Sequence, residues 1–218
     1  MVTPGSRRSD RPNANPRDKV LLTGFDAFGS HTHNPSGLIA QALHGRQVAG
    51  HQVVAAQLPT VFGASLAQLE ALMNTHRPTL VICLGLAARH ATLRLERIAV
   101  NWVEAHIPDN AGQMPVGQPV IAQAPHAYFT RLPLDAMQQA LQTAHVPVEQ
   151  SPSAGSFVCN HLFFGLLHRL ATTAGLQQVR GGFIHVPQLP EQGTPHMALN
   201  RMVQGLRLAI RAALTAPH

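Results

Sequence analysis

Residues 79–86 read TLVICLGL, an unbroken apolar run in the first half of the chain. A continuous apolar run of this length is typical of a strand that is covered on both faces, as in parallel sheets. Two further apolar segments, KVLLTGF at 19–25 and VRGGFIHVP at 179–187, have the same character. These three segments predict the centre of a buried sheet.

Predicted helices alternate with the predicted strands along the chain. Apolar residues at helical spacing predict helices over 35–45, 63–76 and 132–145, from about Cys159 to a C-cap at Gly175, and from about Pro195 to Ala213. Further strands are predicted over 51–59 and 146–151, an extended segment over 93–107, and a turn-rich stretch with a possible hairpin over 108–120. This alternation implies an α/β fold with an open, mostly parallel sheet and helices on both faces.

The composition fits one large domain. The chain has 218 residues, of which 45% are hydrophobic, enough to bury a sizeable core. Nothing marks a second domain, so we assign residues 18–218 to a single domain. Residues 1–17 are polar and rich in proline and arginine, which predicts a disordered extension.

Charge and cysteine content exclude several classes of function. The formal net charge is +6, but five of the sixteen basic residues lie in the tail and its junction, and aromatic residues make up only 5% of the chain. Nucleic-acid binding needs clustered basic and aromatic residues, so we expect none. No apolar run approaches the length of a membrane helix, and no signal peptide is recognisable. Two cysteines in such a chain predict reduced thiols in the cytoplasm.

Cys159 is the first candidate for chemistry. It lies in SAGSFVCNHLFF, residues 153–164, between a glycine-containing turn and a predicted helix. Unpaired backbone N–H groups and the positive end of the helix dipole favour the thiolate, the nucleophilic form of cysteine. The alternative is a cysteine that serves as a small buried apolar side chain.

A nucleophilic cysteine needs a base, and the base needs a group that orients it. His185 ends the apolar strand GGFIHVP, and functional groups of parallel sheets gather at the carboxyl ends of strands. The alternative for His185 is a partly buried histidine bonded to the backbone. Four carboxylates compete for the orienting role, and spacing does not separate them: Glu96, Glu104, Asp26 and Asp109.

Metal and nucleotide sites are disfavoured. His31 and His33, like Cys159 and His161, are separated by one residue, and no third ligand completes either pair. The glycines of TGFDAFGSHTHNPSG match neither the dinucleotide fingerprint nor the P-loop. A nucleoside hydrolase or phosphorylase of similar layered architecture would need phosphate-binding or carboxylate clusters that the sequence does not show.

Six segments, in order, resemble the pyroglutamyl peptidase type I family. They are LLTGFDAFGSHTHNPS at 21–36, LPTVFGAS at 58–65, GLAARHATLRLERIAVN at 85–101, AHIPDNAGQMP at 105–115, SAGSFVCN at 153–160 and FIHVP at 183–187. The resemblance runs from Lys19 into the C-terminal helix. Its most specific segments are AGSFVCN and LERIAVN.

The resemblance implies an α/β/α sandwich around a mixed, mostly parallel, twisted sheet, often assembled as dimers or tetramers. It implies a cytoplasmic cysteine peptidase that removes N-terminal pyroglutamate (5-oxoproline) from peptides without a cofactor or metal. The family's nucleophile falls on Cys159, its base on His185 and its carboxylate on Glu96. Its substrate-binding residues fall on Phe25, Phe28, Asn34, Thr60, Ile107, Phe157 and Val158.

Four positions depart from the family pattern. Leu86 stands where a side-chain amide is usual, and His90 follows Arg89 in a segment that usually ends in a single arginine. Arg94 replaces a serine or threonine, and His106 replaces an arginine. We expect these departures to affect rate and affinity and to leave the reaction type unchanged. The alternative is a catalytically weak or inactive relative that binds pyroglutamate on the same scaffold.

Overall fold

The computed structural model describes residues 19–29 and 31–217, so the predicted N-terminal extension, residues 1–17, lies outside it. In this part of the chain the strands are β1 Lys19–Phe25, β2 Gln47–Val48, β3 His51–Leu58, β4 Leu80–Leu86, β5 Leu93–Glu96, β6 Ile98–Val100, β7 Val103–Glu104, β8 Val116–Gln118, β9 Ala127–Phe129, β10 Val148–Ser151 and β11 Arg180–Val186. The helices are α1 Pro35–Leu43, α2 Ala64–His76, α3 Leu134–Thr143, α4 Val158–Thr172 and α5 Leu199–Thr215, with a 3₁₀ turn at Pro190–Gln192.

Seven strands form the main sheet in the order β10-β5-β11-β4-β1-β3-β2. The apolar run of 79–86 becomes β4, which lies at the centre between β11 and β1 and runs parallel to both. The pairings of β5 with β11 and of β2 with β3 are antiparallel. The predicted mixed, mostly parallel sheet is therefore confirmed.

Helices cover both faces of the sheet and make three layers. Apolar residues of α1, α3 and α5 pack on one face, and those of α2 and α4 pack on the other. On the second face, Val158, Leu162 and Leu166 of α4 are buried among strand residues such as Phe183. The layers bury the sheet on both sides, which is why its central strands are apolar throughout.

The structure differs from the predicted elements in several places. Helix α4 ends at Thr172 with Thr173 as its C-cap, and not at Gly175. Residues 93–107 divide into β5, β6 and β7, and the last two strands leave the main sheet to pair antiparallel with β9 and β8. The C-terminal helix begins at Leu199 and not near Pro195, because the N–H of Met197 donates to the carbonyl of Gln188 and holds this segment extended. Strands as short as β2 and β9 carry no periodicity that a sequence pattern could show.

None of the helices in residues 19–29 and 31–217 is long and apolar enough to cross a membrane.

The fold brings the carboxyl ends of β1, β4 and β11 to one edge of the sheet, because these strands are parallel. The N-terminus of α4 follows β10 and lies against this edge, where Cys159 Sγ is close to the backbone of Gly85 in β4.

Candidate active site

Cys159 occupies the second position of α4. The helix begins after Phe157, whose backbone is extended, and no side chain of the described part of the chain caps its first turn. The first N–H groups of a helix have no intrahelical acceptor, so the amides around Cys159 can bind a negative charge. Its thiol is half-buried, whereas the other cysteine, Cys83 in β4, is fully buried.

Gly85 determines how closely β4 approaches this thiol. A Cβ at position 85 would lie 2.9 Å from Cys159 Sγ and 2.8 Å from Phe183 Cζ. Gly85 is also the direct partner of His185 in the pairing of β4 with β11. The absence of a side chain at this position lets the thiol and the imidazole share one corner of the site.

His185 and Glu96 form a buried pair. The two side chains come from neighbouring strands, β11 and β5, and His185 Nδ1 lies 2.8 Å from Glu96 Oε1. Glu96 is 0% exposed and His185 is 7% exposed. Nδ1 is engaged by the carboxylate, which leaves Nε2 as the nitrogen available to the thiol.

The environment of His185 favours the imidazolium. Burial alone would lower its pKa, but the neighbouring Cys159 thiolate and the Glu96 carboxylate outweigh burial and raise the pKa of His185 to about 9. A histidine that stays protonated at neutral pH stabilises a thiolate as an ion pair. The three groups can therefore provide a nucleophile and an acid at the same time.

The other three carboxylates considered as orienting groups are engaged elsewhere. Glu104 accepts the N–H of Gly117 within the β7–β8 ribbon. Asp26 accepts the backbone and hydroxyl hydrogens of Thr60, at 2.8 and 2.6 Å. Asp109 accepts three backbone N–H groups. Of the four candidates, Glu96 is the one that contacts His185.

A cavity of about 160 Å³ opens beside the thiol. Its lining residues are Phe25, Phe28, His31, His33, Asn34, Thr60, Leu86, Phe157 and Cys159. Drug-sized ligands occupy cavities of roughly 300–1,000 Å³, so this one suits a single small ring. Aromatic rings form much of its wall, and the Phe28 and Phe157 centroids are 5.5 Å apart.

Five of the seven predicted substrate-binding residues line this cavity with Cys159, and two do not. Val158 is 0% exposed, because the first residue of α4 faces the core under the helix. Ile107 is 53% exposed and lies on the connection between β7 and β8, away from the cavity lining. His106 beside it is also exposed, whereas Leu86 reaches the cavity.

Polar side chains that the sequence analysis did not select for this purpose hold the loops of the site. Burial works against the charge of Asp109, but hydrogen bonds from the N–H groups of Phe62, Gln113 and Ala111 lower its pKa below the ordinary value. Asn160 accepts the N–H of Val100 at 3.0 Å and donates to the carbonyl of the same residue at 2.9 Å. Asp109 lies in the segment AHIPDNAGQMP and Asn160 in SAGSFVCN. Their place in segments that resemble the family was the sequence feature that could have indicated them.

A larger cleft of about 730 Å³ lies between α1 and β3. Its lining includes His33 and Asn34, which it shares with the smaller cavity, but none of Cys159, His185 and Glu96. Size therefore does not identify the reactive site here. The smaller cavity is the candidate because it contains the nucleophile.

Across residues 19–29 and 31–217, no group of three or more histidine, cysteine, aspartate or glutamate side chains is arranged to hold a metal ion. His161, two residues after Cys159, packs its ring against Phe62 with centroids 5.5 Å apart. Burial lowers the pKa of His161 to about 4, so it is neutral at physiological pH. It therefore does not add a second cation beside the thiol.

A sequence profile of the family described as pyroglutamyl peptidase matches residues 18–216. A pyrrolidone-carboxylate peptidase of Cupriavidus taiwanensis is 48% identical over 202 residues, which cover 90% of this chain and 93% of the relative. That of Bacillus cytotoxicus is 44% identical over 200 residues, which cover 89% and 92%.

Solved structures agree with these relatives. The crystal structure of pyroglutamyl peptidase I from Bacillus amyloliquefaciens superposes with a TM-score of 0.88 at 40% identity, covering 91% of this chain and 95% of that one. A mutant pyrrolidone carboxyl peptidase from the hyperthermophile Pyrococcus furiosus gives 0.86 at 36% identity, covering 90% and 98%.

Proposed function

The chain belongs to the pyroglutamyl peptidase family, and we propose that Cys159, His185 and Glu96 carry out its reaction as nucleophile, acid–base and orienting carboxylate. The activity is cysteine-dependent hydrolysis of the bond that follows an N-terminal pyroglutamyl residue. The observation that carries the assignment of the triad is the buried contact between His185 and Glu96 next to the only half-buried thiol of the described chain.

Acylation begins with the ion pair. The Cys159 thiolate attacks the carbonyl carbon of the pyroglutamyl residue, and negative charge develops on the carbonyl oxygen. The N–H of Cys159, free in the first turn of α4, is placed to stabilise that oxygen. The imidazolium of His185 then gives its Nε2 proton to the leaving nitrogen, the carbon–nitrogen bond breaks, and a thioester remains on Sγ.

Deacylation uses the same groups in the opposite sense. His185, now neutral, takes a proton from water as the water oxygen attacks the thioester carbon. The carbon–sulfur bond breaks, free pyroglutamate leaves, and the thiolate–imidazolium pair is restored. Glu96 accepts the Nδ1 hydrogen throughout, so that Nε2 always faces the reacting atoms.

The cavity explains why a lactam is accepted. A pyroglutamyl ring carries no ammonium group, so it needs no carboxylate anchor and enters an apolar slot without leaving a charge unpaired. The slot is walled by Phe25, Phe28 and Phe157, and Asn34 and Thr60 also line it. The cavity volume of about 160 Å³ admits only one small ring, so cleavage occurs directly after the first residue.

The relatives named as peptidases do not favour the alternative of an inactive pyroglutamate-binding protein.

A homo-oligomer of two or four copies is part of our proposal. It is supported by exposed apolar side chains concentrated around the β7–β8 ribbon, at Trp102, Met114 and Val116. Light scattering of the purified chain tests it, and a monomer at all concentrations would contradict it. A cytoplasmic location remains a prediction.

The test of the triad is hydrolysis of a chromogenic pyroglutamyl amide, with and without iodoacetamide. We expect Cys159→Ser to abolish turnover and to keep the thermal unfolding profile, because a smaller hydroxyl at a half-buried position creates no steric clash. Cys83→Ser is the matched control: burial raises the pKa of Cys83 to about 12, so it is not a thiolate at neutral pH. Substantial turnover by the Cys159 variant would remove the mechanism.

A further inference from the structure

Arg94 lies beside the triad carboxylate, at a position where the chain departs from the family pattern. It precedes Glu96 by two residues on β5, so both side chains leave the same face of the strand. Arg94 Nε is 3.8 Å from Glu96 Oε1, and the arginine side chain is only 17% exposed. At this distance and degree of burial, solvent screens the charge of the guanidinium only in part.

The guanidinium group is held in place from two neighbouring segments. Arg94 Nη2 donates to Ser151 Oγ at 2.8 Å, and Nη1 contacts the Glu149 carboxylate and His90 Nδ1. Glu149 and Ser151 pair in register with Arg94 and Glu96 across β10 and β5, so strand geometry aligns the whole row. An arginine fixed at so many points cannot swing away from Glu96 without losing these bonds.

The negative charge of Glu96 depends on Arg94 for compensation, because few other groups contact this carboxylate. Its carboxylate is fully buried, Oε1 accepts from His185, and Oε2 has no hydrogen-bond partner within residues 19–29 and 31–217. Among the described residues, His185 and Arg94 are the cations within ion-pair distance. His185 loses its charge when it protonates the leaving amine, and a buried carboxylate without a cation is strongly unfavourable.

We propose that Arg94 is a positioning residue that acts through Glu96: its permanent charge compensates the buried carboxylate and keeps it directed at His185 while the imidazole is neutral. This inference rests on the proposed roles of Glu96 and His185. The charged and titratable groups that face this cluster are Cys159 on α4, His185 on β11, Glu149 on β10 and His90 after β4. Arg94 therefore affects how readily the neighbouring groups of the site lose their protons, and not only the orientation of the Glu96 side chain.

The expected signature is a displaced pH profile. Loss of a cation makes every neighbouring acid hold its proton to higher pH, so Arg94→Ser should move both limbs of the profile of kcat/KM upward, by about 1 pH unit. Arg94→Lys keeps the charge and should leave the limbs within about 0.3 unit. Glu149→Gln removes an anion and should move them downward, by less because Glu149 is 42% exposed.

The experiment measures kcat/KM for a pyroglutamyl amide, and the rate of alkylation of Cys159 by iodoacetamide, from about pH 5 to about pH 10. Arg97→Gln is the matched control, since Arg97 lies next to Glu96 in sequence but is exposed and bonds to Gln150. We expect its profile to match that of the unmodified chain. Thermal unfolding of each variant accompanies the profiles.

Opposite shifts for Arg94→Ser and Glu149→Gln support the inference. A lower rate or unfolding temperature with unmoved limbs would mean that Arg94 only stabilises the fold, and would overturn it. If Arg94→Ser does not fold, an unshifted Glu149→Gln profile overturns it instead. Alkylation needs no substrate, so failure of the unmodified chain to hydrolyse the amide would refute the proposed function separately.

Discussion

Replacement of Gly85 by alanine adds one methyl group at the point where β4 meets the thiol. The new Cβ would lie 2.9 Å from Cys159 Sγ and 2.8 Å from Phe183 Cζ, where ordinary contact begins at 3.4 Å. Sulfur and strand must therefore separate by about 0.5 Å. The backbone of a strand residue accepts alanine without strain, so the steric contact accounts for the whole effect.

The magnitude follows from two general costs. Overpacking a core typically lowers the free energy of unfolding by about 1–3 kcal/mol. Catalytic geometry tolerates about 0.5 Å, and a displacement of about 1 Å costs roughly 100-fold in rate. We therefore expect kcat/KM of Gly85→Ala to fall by about tenfold, with slower alkylation of Cys159 by iodoacetamide.

The control is Gly181→Ala on β11. A Cβ there would lie 2.5 Å from Leu170 Cδ1, the end of a flexible side chain, and it would not contact the thiol. It should lower the unfolding temperature but leave kcat/KM of the folded protein close to that of the unmodified chain. If Gly85→Ala kept kcat/KM within about twofold, the argument from close approach would be refuted.

The remaining predictions concern the pocket, its loops and the tail. Phe28→Ala should raise KM with a smaller effect on kcat, by an amount equivalent to about 1–3 kcal/mol, because ring contact exists already in the bound substrate; unchanged steady-state KM would place the slot elsewhere. Leu86→Gln should lower KM if the amide reaches the ring, and an increase in KM would show that the pocket needs an apolar wall at this point. Asp109→Asn should destabilise the protein, because three backbone N–H groups lose a charged acceptor. Since the folded pKa of Asp109 is lowered, the difference in unfolding free energy should be complete above about pH 4 and shrink as the pH falls further; urea titrations that show a constant difference down to low pH would contradict this. Deletion of residues 1–17 should leave kcat/KM nearly unchanged, because this tail is too polar to pack, and a large loss of rate at unchanged stability would contradict that reading.

Local sequence patterns were sufficient for most of the fold. The apolar run of β4, the shorter runs of β1 and β11, and the helical spacing in α2 and α4 each reflect burial of one segment against its neighbours. Such burial leaves a mark on consecutive residues. The pairs β6–β9 and β7–β8 left no such mark, because two- and three-residue strands at the surface are defined by their partners.

The residues of the site likewise form two groups: those that local sequence patterns indicate and those that only tertiary contacts identify. The sequence by itself indicated Cys159 and His185, because a helix start and a strand end are local features with known chemistry. Spacing left four carboxylates open and the family resemblance pointed to Glu96. The tertiary structure showed that Glu96 contacts His185, through an antiparallel pairing of β5 with β11 that no local pattern specifies. The departure of Arg94 from the family pattern did not show that its guanidinium group lies 3.8 Å from the buried carboxylate of Glu96. Contacts between residues far apart in the chain depend on strand order and register, and these are set by the packing of the whole sheet.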